Sequence, residues 1–398
     1  MSQSATPEAR VSRDEAWCTL RAKLRADAGA PSTPSARPVA PGIAGADERV
    51  VWFDYAKGIC IILVVMMHST LGVGEAMGQD GFMHWVVAFA KPFRMPDFFL
   101  LSGLFLFRVI DHDWRTYFDR KVVHFAYFYV LWLIILMAVK QAPLLISDPA
   151  GWLGAVAHAF VTPNPNLWFI YLLPLFFVAT KLARTLGVPN WALWLAAATM
   201  QTIPMHTGWE AIDDYGAHYF VFFLTGYMLA PRVFGLAGWA RENAGLAMVG
   251  LAGWFVFNSV VAFEPSGLNG IETMAQVPIL RIAFGLIGAV AVVTVAALLS
   301  RLDAARFIRY AGRNSIVLYV SFVLPMAATR IALLKTGLIE DVGIISLIVT
   351  AVAVAVPLGL HAAVRHTWAR FLFERPVRLK TERRRNHEPA GSAAPQAA

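Results

Sequence analysis

The sequence predicts an all-α fold: a polytopic membrane bundle of about ten transmembrane helices with both termini in the cytoplasm. Three observations predict it. Of the 398 residues, 58% are hydrophobic and only 15% charged, and the mean hydropathy is +0.56, more apolar surface than a soluble domain of this size can bury. The charged residues are bunched between long apolar stretches instead of being spread through them, which marks lipid as the solvent. Finally, Lys and Arg alternate between successive loops as a membrane orientation demands.

The same numbers exclude other classes. The net charge of +8 sits in interspan loops and tails, so it reports membrane orientation and no nucleic-acid surface. Cys18 lies in a polar tail and Cys60 inside the first apolar stretch, so no disulfide framework is built. The first apolar run begins near Val50, after a long polar segment, and the first span is expected to serve as its own insertion signal.

Taken in order, residues 1–50 read as a disordered cytoplasmic tail rich in Ala, Pro, Ser and Arg. Within it, Ser12 to Ala28 is a candidate interfacial helix, with Trp17, Leu20 and Leu24 on one face above Arg21, Lys23 and Arg25. Residues 51–368 form the membrane domain. Its spans are expected at 56–74, 83–107, 122–140, 166–181, 189–204, 218–231, 245–263, 278–299, 314–334 and 342–364, because a span needs about 20 mostly apolar residues. The windows at 166–181, 189–204 and 218–231 are short and need neighbours or local bilayer thinning. Residues 150–161 read as a re-entrant or interfacial piece on the outer side, and 369–398 as a basic and then disordered cytoplasmic tail.

With the N-terminus inside, segments 1–57, 108–121, 181–184, 232–241, 301–313 and 365–398 carry 28 of the 34 Lys and Arg residues. The outer loops 75–82, 141–165, 205–217 and 264–277 carry none, and 335–341 carries only Lys335. One span more or fewer inverts every later loop and spoils this pattern. No short-period repeat and no symmetry between halves is visible, which favours an enzyme over a carrier.

Ionisable residues in a bilayer cost roughly 2.5 to 3.5 kcal/mol each at mid-span and are normally kept for a purpose. His68, Lys91, Arg94, Asp97 and Arg281 are the candidates. Lys57 and His68 are eleven residues apart, which returns to within about 20° of one helix face and climbs about 16 Å. Both then face one cavity at different depths, Lys57 at the cytoplasmic mouth and His68 past the midplane, a spacing comparable to an extended pantetheine arm. Imidazole is the side chain best suited to move a proton near neutral pH; the blander reading is a packed histidine and an anchoring lysine. In the second span Pro92 and Pro96 break the helix, and Arg94 and Asp97, three apart, are placed to pair. Arg120 and Lys121 open the third span as a phosphate grip or an ordinary positive-inside cluster. Trp168, Tyr171 and Arg281, with the His206, Glu210, Asp213, Asp214 and His218 loop, suit a sugar surface or an aromatic belt. The loop's spacing matches no zinc signature, and no metal site is assigned. GxSxG, P-loop and HExxH patterns are absent from the sequence.

These residues resemble the integral-membrane acyltransferase family 3, which includes fucose O-acetylase-like and other polysaccharide O-acyltransferases. The likeness runs over about 51–368. It rests on the basic residue, ten residues, then histidine of the first span, met by Lys57 and His68, and on the MPxFFxxSG-like stretch from Met95 to Gly103. Weaker echoes are Arg120-Lys121, Leu167-Trp168-Phe169, Phe223 to Tyr227 and Gly312 to Tyr319. The sequence departs from the family pattern at His124, Arg94, Asp97 and Phe322, which suggests a subgroup with its own acceptor.

The resemblance implies acyl transfer from a cytoplasmic acyl-CoA, usually acetyl-CoA, to a hydroxyl of a glycan or related envelope acceptor, in a bacterial inner membrane. Acetyl-CoA is then a co-substrate, with no permanently bound cofactor. The expected roles are His68 as general base, Arg94 on the oxyanion with Asp97 assisting, Lys57, Arg120 and Lys121 on the CoA phosphates, and Trp168, Tyr171 and Arg281 on the acceptor. The expected partners are acyl-CoA, the acceptor and the lipid bilayer, with no nucleic acid; the oligomeric state stays open. The rival from another class is a transporter or flippase of a glycan or lipid-linked substrate. A purely structural scaffold is a third reading, which leaves the mid-membrane charges unexplained.

Overall fold

Hydrocarbon offers no water to a backbone N–H or C=O, so an apolar segment satisfies itself by closing into a helix. In the computed structural model, which describes residues 50–203, 205–302 and 304–376, the chain is helical almost throughout. The tails beyond these bounds, with the Ser12 to Ala28 candidate helix and Cys18, lie outside the described residues, as does the side chain of Asp214.

Six helices are long and apolar enough to cross a membrane: α1 (Val51–Met77), α4 (Trp114–Lys140), α5 (Trp168–Thr185), α9 (Ala244–Phe263), α10 (Pro278–Leu302) and α14 (Val342–Val364). Between α1 and α4 lie α2 (Phe82–Ala90) and α3 (Arg94–Leu104). After α5 come α6 (Asn190–Thr202), α7 (Ala217–Met228) and α8 (Ala230–Glu242), the last two bent by 72°. After α10 come the eight-residue α11 (Arg306–Arg313) and the pair α12 (Ser315–Ser321) and α13 (Val323–Thr336), bent by 52°. Counting each bent pair as one span gives up to eight. The two remaining windows of the sequence fall on α2 with α3, broken at Lys91 to Phe93, and on the 13-residue α6. A short antiparallel hairpin, β1 (Pro265–Leu268) and β2 (Ile271–Thr273), joins α9 to α10.

Close contacts sort the connecting segments into two groups at opposite ends of the bundle. At one end, α11 lies directly against the start of α1, because a Cβ on Gly312 would overlap the carbonyl oxygen of Asp54 and one on Gly58 that of Ile308. Arg301 donates to Arg241 O (2.8 Å), Arg184 lies 3.7 Å from Asp111, and Lys181 Nζ donates to Ile110 O and His112 O. At the other end, Gly81 abuts Gly343, Trp209 donates to Val161 O (2.7 Å), and Lys91 pairs with Glu272 (3.1 Å). Apart from Lys91, which falls within the expected second span, these contacts join segments in or next to loops that the charge pattern groups together.

The packed body extends past 368, where the sequence sets its edge. Tyr127 donates to Phe371 O (2.8 Å) and Trp132 to Leu372 O (2.9 Å), and Arg375 bonds both the carboxylate (2.7 Å) and carbonyl (2.8 Å) of Asp119, fully inside the protein. Removing one member of such a pair leaves an uncompensated buried charge. Arg375→Ala is therefore expected to cost about 3–5 kcal/mol of stability, measured by unfolding of the solubilised protein, and a combined Asp119→Asn, Arg375→Met change should recover most of it.

Candidate functional site

The site is built on α1. At its first turns Lys57 Nζ lies 3.3 Å from Asp54 and 4.9 Å above the Phe53 ring. Beside it is a cavity of about 160 Å³ lined by Lys57, Ser102, Ser315 and Tyr319 together with Phe53, Phe98, Phe125 and Phe169. Ser102 spends its proton on Phe98 O within its own helix (2.8 Å). The next residue is a packing device: Gly103 and Gly226 let α3 and α7 touch backbone to backbone, since a Cβ on either would overlap a carbonyl oxygen of the other helix. One wall of the cavity is Phe98 stacked on Phe169, with centroids 4.4 Å apart and planes within 5°. Tyr319 braces that wall by accepting the Phe169 backbone N–H (3.1 Å). A larger crevice of about 220 Å³, between Leu63, Phe89, Phe93 and Trp254, is lined by apolar residues only and offers no chemistry.

Arg120 and Lys121 sit in a π-helical turn, Asp119–Val123, at the entry to the long apolar part of α4, a distortion that recurs at functional sites. Arg120 is exposed. Lys121 lies over the Phe177 ring at 4.6 Å, and Phe177 stacks on Phe125 of the cavity wall, so Lys121 stands two rings away from the Lys57 cavity. Arg306, Arg309 and Arg313 arrive at the same end on α11; the sequence shows them only as loop charges.

His68, eleven residues farther along α1, is half-buried with its ring 5.3 Å from Phe322. It does not line the Lys57 cavity. The positive charges of Arg94 and Lys140 act on it. Arg94 (8% exposed) and Asp97 (1%) are buried on α3, yet the ion pair their spacing predicts does not form. Nε and Nη1 of Arg94 and both carboxylate oxygens of Asp97 have no hydrogen-bond partner in the protein. The break at Pro92 starts a new helix at Arg94, and both side chains are buried on it without meeting.

Tyr219 is the residue that sequence reasoning missed. Arg281 donates to its hydroxyl (3.2 Å), Trp168 packs on its ring at 5.4 Å and Phe99 stacks on it at 5.1 Å. Tyr219 therefore brings Trp168 and Arg281 together beside Arg94. Tyr171 does not join them: it donates to Phe160 O (2.7 Å) and packs on Tyr129, holding the 149–161 segment. Asp213 is likewise used locally. It accepts the N–H groups of Thr207 and Gly208 and the Thr207 hydroxyl, and these bonds, the Thr207 N–H foremost, hold its carboxyl below the usual range. Among the described residues no group of His, Cys, Asp and Glu is arranged to hold a metal.

Comparison with known proteins adds two findings. A family model described as an acyltransferase domain matches residues 50–361, a range that holds Lys57, His68 and every other residue named at the two ends of α1. The chain is also 29% identical over 197 residues to the inner membrane protein YcfT of Escherichia coli K12, across 42% of this chain and 53% of that relative. The match thus spans about half the length of the relative. No solved structure matches.

Proposed function

Because the chain belongs to acyltransferase family 3, we propose that it moves an acyl group, acetyl in the first instance, from cytoplasmic acyl-CoA to a hydroxyl of an envelope glycan. It is a multi-pass protein of a bacterial inner membrane. The observation that carries the proposal is the polarity of α1, with a cation-lined cavity at its first turns, a half-buried imidazole about three turns farther along, and an unpaired guanidinium buried on the neighbouring α3.

In this reading the Lys57 end is cytoplasmic, since it gathers the segments that carry 28 of the 34 Lys and Arg residues. The chain then crosses ten times. The grouping of Gly81 apart from the Ile110 to His112 stretch, and of Arg184 apart from Trp209, supports reading α2 with α3 as one crossing and α6 as another. An even number of crossings returns the C-terminus to the cytoplasm.

Lys57 and Lys121, with Arg120 outside them, hold the CoA phosphates while the pantetheine arm runs along α1. His68 takes the acceptor proton as the hydroxyl oxygen attacks the thioester carbonyl. The O–C bond forms, the C–S bond breaks, and the proton passes on to the departing thiolate. Arg94 offers its unpaired N–H donors to the carbonyl oxygen as charge develops there. Asp97, buried on the same helix, assists Arg94 or orients the base. Trp168, Tyr219 and Arg281 form the acceptor side.

Purified full-length protein given radiolabelled acetyl-CoA tests this against the carrier reading. The enzyme is expected to bind acetyl-CoA and to release CoA slowly even without acceptor. A protein that ignores acetyl-CoA while moving glycans across proteoliposomes is a carrier, and the proposal fails.

A further inference from the structure

Taking two charges out of water costs about as much as their attraction returns, so a buried ion pair is weak as a source of stability. Asp119 and Arg375 form such a pair, both of them buried. Asp119 is the first residue of the π-helical turn Asp119–Val123, which carries Arg120 and Lys121. Arg375 holds it twice, donating Nη2 to its carboxylate (2.7 Å) and Nη1 to its backbone carbonyl (2.8 Å). The first bond fixes a side chain; the second fixes the backbone of the turn.

Arg375 is itself placed by the segment that it ends. After α14 a 3₁₀ turn, Trp368–Leu372, brings the chain against α4, where Tyr127 donates to Phe371 O (2.8 Å) and Trp132 to Leu372 O (2.9 Å). Phe373 is buried with its ring 5.6 Å from those of Trp132 and of His361 on α14. None of residues 368–375 falls in the range that matches the family model, which stops at 361.

A π turn takes one residue more than an α turn, is rare, and is kept mostly at functional sites. Closing it to regular α-helix rotates the residues on one side by about 100° relative to the other. Arg120 and Lys121 sit inside this turn, so their direction depends on what holds Asp119. Lys121 lies over Phe177 at 4.6 Å, and Phe177 stacks on Phe125 of the Lys57 cavity. The turn thus brings a second cation within two rings of that cavity.

We propose that Arg375 is a positioning residue for the donor: it pins the π turn from the C-terminal segment and so sets Arg120 and Lys121 on the CoA phosphates. This rests on the transferase reading and deepens it, because a segment outside the matched range becomes part of the donor site. Arg375 acts through Asp119 and meets no part of the donor itself.

The test separates position from stability with the double variant Asp119→Asn, Arg375→Met in full-length protein. This variant breaks both bonds to the turn yet keeps the net charge, and most of the stability lost in Arg375→Ala should return with it. A merely structural pair requires donor binding to return as well. The positioning role requires Tm to recover while the Kd for a non-hydrolysable acetyl-CoA thioether, read by calorimetry, stays raised at least about tenfold, the worth of one charge-assisted hydrogen bond. KM should rise with a smaller change in kcat, and amide exchange over 119–124 should quicken. Tyr127→Phe, which loosens the same segment without touching the turn, should lower Tm and leave Kd unchanged. Wild-type affinity in the double variant at recovered Tm, or an equal loss of affinity in Tyr127→Phe, overturns the positioning role; acetyl-CoA cleavage in those proteins leaves the transferase reading standing. A wild-type protein that does not bind the thioether removes both, since it has no donor to position.

Discussion

His68→Ala is expected to lower acyl transfer by about 10²- to 10⁴-fold, the range that a positioned general base contributes, while leaving the affinity for acetyl-CoA nearly intact. The argument is one of separation. The donor's phosphates are held at the Lys57 end, and the imidazole stands about three turns farther along the same helix, outside the cavity that Lys57 lines. Truncating it therefore removes no contact to the nucleotide. Nor does it expose a buried partner: its nearest ring is Phe322 at 5.3 Å, and the lost packing of a half-buried side chain is small. Lys57→Ala should do the reverse, raising the KM for acetyl-CoA with a smaller change in kcat. Isothermal titration with a non-hydrolysable CoA thioether and single-turnover assays separate the two effects. If His68→Ala transfers at the wild-type rate, the imidazole is a packing residue and the base lies elsewhere.

The parts of this architecture that were legible in the sequence are those that depend on helix periodicity and on charge. Six of the ten expected windows coincide with single long helices, because a run of apolar residues in lipid has almost no alternative to α-helix. The break of the second window was legible at Pro92 for the same reason. What escaped is where each side chain turns once the helix restarts. Arg94 and Asp97 have the spacing of a pair, yet both are buried without meeting, and nothing in a linear pattern encodes the neighbours that enclose them. Tyr219 was invisible as a functional residue because an aromatic at a span end reads as an interfacial anchor; its meaning comes from Arg281, 62 residues away. Trp168 and Tyr171 looked equivalent at three residues apart, yet one joins the Tyr219 cluster and the other holds Phe160 O. Arg375 was passed over because a basic tail gives no sign that one of its members is buried on Asp119.

Arg94→Gln should cost about 10²- to 10³-fold in kcat, the usual price of losing an oxyanion donor, and yet should not destabilise the protein. The two halves of this expectation come from one observation. A guanidinium that is 8% exposed with Nε and Nη1 unpartnered is a burden on the folded state, because a buried charge without hydrogen bonds loses its hydration and gains nothing in return. Replacing it with a neutral amide of similar length relieves that burden, so Tm should hold or rise. In the transition state the balance reverses: the donors meet an oxygen on which negative charge is developing, in a place from which water is excluded. Arg94→Lys, which keeps a cation but not the planar fork, should recover only part of the rate. A merely structural arginine behaves otherwise, its loss lowering Tm and activity together. Unchanged kcat in Arg94→Gln at wild-type Tm rules out the oxyanion role, and the stabilisation of the tetrahedral intermediate must then come from another donor near His68.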